Sequence, residues 1–219
     1  MSEALTLTSL PLFPLGTVLY PGGLLPLRIF EVRYLDMIGK CHKTGAPFGV
    51  VSLTRGSEVR QPEHHAPDGD GFVQEAFHAV GTLATITEFS VPQPGLMVIR
   101  CTGAQRFRIS NREKLRHGLW IADVTRLDDD LKVSVPEDLQ GAANALGKLI
   151  KSLQERAVPA AQMPLLSPYR LDDCGWVANR WCELLPMPLE LKQRLMELNN
   201  PLVRLELVND ILERTGIAL

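Results

Sequence analysis

Few residues in this sequence have the types and spacing that chemistry requires. His64 and His65, with Asp68 and Asp70, offer imidazole and carboxylate, donors that zinc or nickel accepts. Adjacent histidines point apart unless the backbone bends, however, and the 55–71 segment around them is charged and broken by Pro62 and Pro67. It reads as a solvated loop. Gly141 to Leu149 approaches a phosphate loop but has one residue too many between its glycines. It also lacks the Ser or Thr that would ligate magnesium, and it falls inside a predicted helix. No Gly-x-Ser-x-Gly elbow and no His-Glu-x-x-His is present. Cys41, Cys101, Cys174 and Cys182 form no Cys-x-x-Cys pair, and Cys174 and Cys182 beside Trp181 read as small core residues. No metal, cofactor or catalytic residue is expected, and the chain reads as a non-enzyme.

Two further groupings could bind rather than react. Arg100, Arg106, Arg108, Arg112, Lys114 and Arg116 surround Glu113 alone, and alternation puts Arg106 and Arg108 on one strand face with Phe107 and Ile109 on the other. A string of cations is what phosphate contacts need, but a solvated face offset by the acids at 123–130 is the favoured reading. Glu31, Arg33 and Tyr34 flank an apolar helix face behind a proline-rich run. Exposed apolar residues among prolines would form a rigid docking groove with little ordering cost. Phe30 is read as core, while for Glu31, Arg33 and Tyr34 core and contact roles stay open.

The elements that must position these residues follow from periodicity. Residues 5–15 alternate apolar and polar, and Pro11 and Pro14 inside them suggest an edge position or a bulge. Pro21-Gly22-Gly23 is a turn, after which residues 25–30 resume an extended run. Phe30, Tyr34, Met37, Ile38 and Cys41 then fall on one helical face that ends near Gly45. Strands are predicted at 48–53, 72–89, 95–102, 105–110 and 118–127. After Asp128-Asp129-Asp130 the period becomes helical, with Pro136 in the first turn of the stripe Leu139 to Leu153. Asp172 or Asp173 caps a helix facing inward through Trp176, Val177, Trp181 and Leu184, and Pro188 and Pro201 open two more.

These patterns predict two domains, 1–130 and 131–219. With 45% apolar and 22% charged residues the chain is of globular composition, and a net charge of −2 argues against a surface devoted to nucleic acid or anionic lipid. The 24 residues from Ala4 to Leu27 carry no charge, but their four prolines exclude a membrane helix, and Met1-Ser2-Glu3 does not open a signal peptide. A cytoplasmic protein with reduced thiols is expected.

Longer stretches are specific enough to resemble a family. Leu10 to Leu15, Val18 to Gly22, and Pro26 to Tyr34 with Met37 are similar to the opening of the Lon-protease N-terminal domain family. Phe48 to Val50, Gly81 to Ile86, Gly103 to Ile109 and Trp120 to Val124 resemble its successive strands, and Trp176 to Leu185 and Lys192 to Leu212 its helical part. The resemblance implies an α+β fold: an N-terminal PUA-like β pseudo-barrel with one embedded helix, followed by a C-terminal α-helical bundle. It also implies recognition of polypeptide substrates. The chain ends at Leu219 with neither Walker motif, so a free-standing member without ATPase or protease domains is expected.

The expected function is therefore a non-catalytic module that engages unfolded polypeptide segments or a partner protein. The expected site is a cleft between barrel and bundle, with Glu31, Arg33, Tyr34 and Arg106 as polar contacts and Phe107 as an apolar one. RNA binding through the basic segment is the alternative, nucleic acid being the less expected partner. A small-metabolite hydrolase with metal at His64-His65 stands behind both.

Overall fold

Alternating and continuous apolar runs in the first 126 residues form six strands: β1 (Thr6–Leu15), β2 (Leu24–Ile29), β3 (Phe48–Arg55), β4 (Ala76–Gln93), β5 (Leu96–Lys114) and β6 (Trp120–Arg126). They are seen in a computed structural model that describes residues 5–59, 74–159 and 162–217. The histidine pair and most of the 55–71 loop lie outside the described residues. Helices α1 (Val32–Thr44), α2 (Gln140–Glu155), α3 (Cys174–Leu184), α4 (Leu189–Glu197) and α5 (Pro201–Arg214) complete a mixed α+β fold. None of the described helices is long and apolar enough to cross a membrane. The chain divides into two compact units, the described residues up to Pro21 with Leu25–Asp128, and Gly22–Leu24 with those from Asp129 onward.

In the first unit the strand order is β2-β5-β4-β3-β1-β6, and β6 also pairs with β5. Five strands thus return on themselves, and β2 is attached outside that ring, on β5 alone among the described strands. β1 runs parallel to β3, and the other four pairings within the ring are antiparallel. The parallel pair requires a crossover, which β2 and α1 supply.

β1 is not an edge strand, contrary to the expectation from Pro11 and Pro14. Its ladder to β6 spans Thr6 to Leu12 and its ladder to β3 spans Leu12 to Leu15. Each proline therefore sits where only one side of the strand is paired, the local equivalent of the edge position that proline tolerates. The expected bulge is present between Leu7 and Leu10, where Ser9 adopts φ +54°.

Gly103 does not end a strand, as its position between two predicted strands implied. β5 runs through it for 19 residues. A Cβ at Gly103 would lie 2.1 Å from the Tyr20 carbonyl oxygen, so glycine serves a close backbone approach and not a turn. Beside it, Thr82 pairs with Arg106 and Ala84 with Gly103, which leaves an extra residue on β5. This bulge breaks the alternation, and Arg106 and Phe107 are both buried. The predicted solvent face shared by Arg106 and Arg108 does not form.

Two apolar clusters fill the unit. One gathers Phe13, Ile29, Tyr34, Met37, Ile38, Phe48 and Val50, and the other gathers Leu10, Leu12, Val51, Phe77, Leu83, Phe107 and Val124. The α1 stripe is buried from Tyr34 to Cys41, and Gly45 at φ +68° ends the helix. Phe30 precedes the helix and is 55% exposed, which corrects its expected place in the core.

In the second unit Asp173 caps α3 by accepting from the N–H groups of Gly175 and Trp176, and Asn200 caps α5 with Pro201 following. The buried Arg204 donates to Leu195 O at 2.9 Å, Asn179 Oδ1 at 3.0 Å and the Asp130 carboxylate, and it also bonds the Leu198 carbonyl. It thereby adds side-chain donors to carbonyls at the α4 C-terminus, where Leu195 O otherwise receives only the long bond from the C-cap N–H of Leu198 at 3.4 Å. Burial pushes the Glu183 carboxyl up to about 7, although Arg180, donating to it at 2.8 Å, pulls the other way.

Packing in the second apolar cluster depends on Gly81, where a Cβ would stand 2.3 Å from the Val50 carbonyl oxygen and 2.7 Å from Phe107 Cζ. Gly81→Ala should lower stability in urea by about 1–3 kcal/mol, the range of overpacked cores. Gly95→Ala, at φ +78° with nothing within 4 Å of the added carbon, should lose only about 1 kcal/mol of backbone strain. Equal losses for the two variants would contradict the packing described.

Candidate functional site

The start of α1 is unusual because its side chains, not a cap, organise it. Glu31 stands at the N-cap position without a side-chain capping bond. Its carboxylate accepts instead from Arg33, whose Nε and Nη2 lie 3.3 and 3.1 Å from Glu31 Oε2. Arg33 Nη2 also donates to Glu75 Oε1 at 2.9 Å, and Nη1 to the Gly118 carbonyl at 2.8 Å. The second oxygen of Glu75 accepts from Trp120 Nε1 at 2.7 Å. Burial pulls the Arg33 pKa down, but the hydrogen bond to Glu75 and the charges of Tyr34, Glu75 and Glu31 together raise it above the ordinary arginine value. The guanidinium is a fixed cation.

That cation lies over the Tyr34 ring at 4.5 Å, and Phe13 stacks on Tyr34 at 4.0 Å between centroids. Tyr34 is thus held from both neighbours, and with Phe13 it lines a cavity of about 290 Å3. Leu15, residues 26–29 of β2, Phe30, Glu31, Glu58 and Val59 complete the lining. Glu58 Oε1 accepts from Gly16 N at 2.7 Å, which anchors the wall carrying Val59. Phe30 and Val59 are exposed at the rim. A second cavity, about 400 Å3, borders the next face of α1 through Val32, Arg33, Asp36, Met37 and Lys40, with His117 and Leu119 opposite.

Of the residues expected at a site, Glu31, Arg33 and Tyr34 are brought together. Arg106 and Phe107 line neither cavity. Arg106 Nη2 donates to the Asp128 carbonyl at 3.3 Å, and Phe107 is fully buried against the bare backbone of Gly49 and Gly81. Sequence reasoning missed Glu58, Val59 and Glu75. Val59 carried one readable signal, an isolated apolar side chain in a polar loop.

Burial pushes the Cys41 thiol up, and burial with the nearby Cys41 pushes Cys101 up to about 12, far from a thiolate at neutral pH. Among the described residues no three His, Cys, Asp or Glu side chains gather closely enough to hold a metal. The basic segment of β5 is interrupted by the buried Arg106, and Arg100 Nη1 lies 3.5 Å from Glu88 Oε1.

A mixed sheet thus closes into a ring with one strand outside it, and a cavity carrying Glu31 and Glu58 lies beside that strand. Residues 9–214 match the family described as the ATP-dependent protease La (LON) substrate-binding domain, and the chain belongs to that family. The resemblance read from Leu10 to Tyr34 therefore holds over nearly the whole length. A solved Lon N-terminal domain protein from Xanthomonas campestris is 30% identical, with a TM-score of 0.69 over 93% of this chain and 98% of that one. The N-terminal domain of Mycobacterium avium complex Lon protease is 16% identical, with a TM-score of 0.56 over 96% of this chain and 100% of that one, a likeness of fold alone. Among curated proteins none matches.

Arg33 and Glu75 have side chains only 3% and 4% exposed, whereas Glu31 is 18% exposed. Arg33→Met strands the buried Glu75 carboxylate and should lower stability by about 3–5 kcal/mol. Glu31→Gln should cost less than about 1 kcal/mol. Adding Glu75→Gln to Arg33→Met should recover much of the loss. Urea denaturation of the three variants measures this, and similar losses for Arg33→Met and Glu31→Gln would contradict the assignment of Arg33 as the hub.

Proposed function

We propose that this chain is a non-catalytic module that binds polypeptide segments, and that the cavity between β1, β2 and the start of α1 receives them. The single observation that carries this reading is exposed apolar surface at a concave, apolar-lined site. Phe30 and Val59 are 55% and 44% exposed beside the cavity, and Val32, 74% exposed, stands on the adjoining turn. Rims of this kind mark interaction sites more often than solvent-facing accidents. Tyr34 and Glu31 make the contacts in this reading, and Arg33 acts as a positioning residue that holds both. Arg106 and Phe107 support the sheet behind the site.

Membership of a substrate-binding family supports the same reading, as does the likeness to the Lon N-terminal domain protein of Xanthomonas campestris. We read the closed strand ring as a PUA-like pseudo-barrel and the helices of the second unit as a bundle. The four buried thiols suit a reducing cytoplasm.

Phe30→Ser should weaken binding of a fluorescein-labelled, permanently unfolded casein about tenfold, the scale of an aromatic anchor at an interface. Arg108→Ala, on the exposed part of β5, should leave it unchanged. Fluorescence anisotropy provides the measurement. The alternative of RNA recognition would gain if Arg108→Ala abolished a strongly salt-dependent affinity for single-stranded RNA while Phe30→Ser changed nothing.

A further inference from the structure

Strand β2 is the structural feature that the cavity alone does not explain. It pairs with β5 and with no other described strand. Its side chains split in the usual period of two: Leu25, Leu27 and Ile29 face the apolar cluster, while Pro26 and Arg28 are exposed. Backbone groups alternate as well, so every second residue addresses one edge of a strand. Proline has no N–H to give to a ladder and is tolerated where that position faces away from the partner strand. If Pro26 follows that rule, its own carbonyl and the N–H and C=O of Arg28 lie on the edge away from β5. Natural edges of this kind invite a further strand, and this one borders the cavity through residues 26–29.

The charges nearby are unequal. Among the described residues, Glu31 and Glu58 line the cavity with Arg28, and Arg33 ties Glu31 to the buried Glu75 behind it, three carboxylates to two guanidiniums, a net charge of −1. Arg33 is committed between Glu31 and Glu75, and Glu58 lies in the cavity wall. An occupant carrying a cation beside its apolar side chain is complementary to this rim, and one carrying an anion is not.

We infer that the bound polypeptide is an extended segment that adds, as a further strand, to the edge of β2 that no described strand claims, placing a large apolar side chain in the cavity and a neighbouring Lys or Arg toward Glu31 and Glu58. This rests on the polypeptide-binding reading above and adds a mode and a sequence preference to it. Main-chain hydrogen bonds supply affinity that is indifferent to most side chains, and the single pocket with its acidic rim supplies the selection. Such a site accepts many sequences but only unfolded ones, since a client's own sheet or helix already uses its amides.

A peptide alternating Leu or Phe with Lys or Arg, labelled with fluorescein, tests this on the full chain by anisotropy. Single N-methyl groups walked along the peptide backbone should weaken binding about tenfold at every second residue and hardly at all between. Replacing the basic residues by Glu should weaken it at least as much. Should the parent peptide bind and Phe30→Ser weaken it, yet N-methylation show no alternation, strand addition is overturned while the cavity reading survives. Failure of the parent peptide to bind at all overturns both, and equal affinity for the Glu peptide overturns the charge preference. A dimer in sedimentation that peptide cannot dissociate would mean a second copy occupies the β2 edge, and would overturn the proposal.

Discussion

Strand β5 is the constraint on which the sheet unit depends. Along its 19 residues it pairs with β4 through Arg108, with β6 from Phe107 onward, and with β2. Closing the ring commits both edges of β4, β3, β1 and β6 to neighbours along at least part of their length. Only β2 keeps an edge unclaimed by any described strand. The bulge opposite Thr82–Ala84 shifts β5 against β4, and the bare backbone at Gly81 lets β4 approach the Val50 carbonyl of β3, while that at Gly49 makes room for Leu12 and Phe107. The exposed edge beside the cavity is therefore a consequence of ring closure, in the same way that the Arg33 hub follows from bringing Glu75, Gly118 and Trp120 to the start of α1.

Charge and apolar packing divide the work at that hub. The Arg33 guanidinium satisfies two carboxylates and one carbonyl, so burying it leaves no stranded polar partner among them. The same group lies over Tyr34, and Tyr34 stacks on Phe13. A preformed aromatic wall loses little freedom on binding. Phe30 and Val59 remain exposed at the rim, as the proposed contact with a polypeptide requires.

Much of the fold was readable because its signals are local. The α1 stripe from Tyr34, the Asp173 cap, the helix start at Pro201, and the switch to helical period after Asp130 all depend on residues a few positions apart. The misread features are non-local. Pro11 and Pro14 suggested an edge because the sequence does not reveal that β1 changes partners at Leu12. Gly103 suggested a break because its reason is the Tyr20 carbonyl, and Arg106 was placed on a solvent face because the bulge shifts its alternation. In the site, Glu31, Arg33 and Tyr34 were legible as neighbours in sequence, whereas Glu75 is 42 residues from the guanidinium it pairs with. Phe30 was assigned to the core by periodicity, yet the helix starts two residues later.

The central claim is that polypeptide binds at the β2 edge and the start of α1. Amide hydrogen exchange on the full chain, with and without a saturating basic-apolar peptide, tests it most directly. The account predicts slowed exchange confined to residues 24–34 and 56–59, with Arg28 prominent among them. Protection confined to residues 100–116 or 174–214, with none along β2, would contradict it.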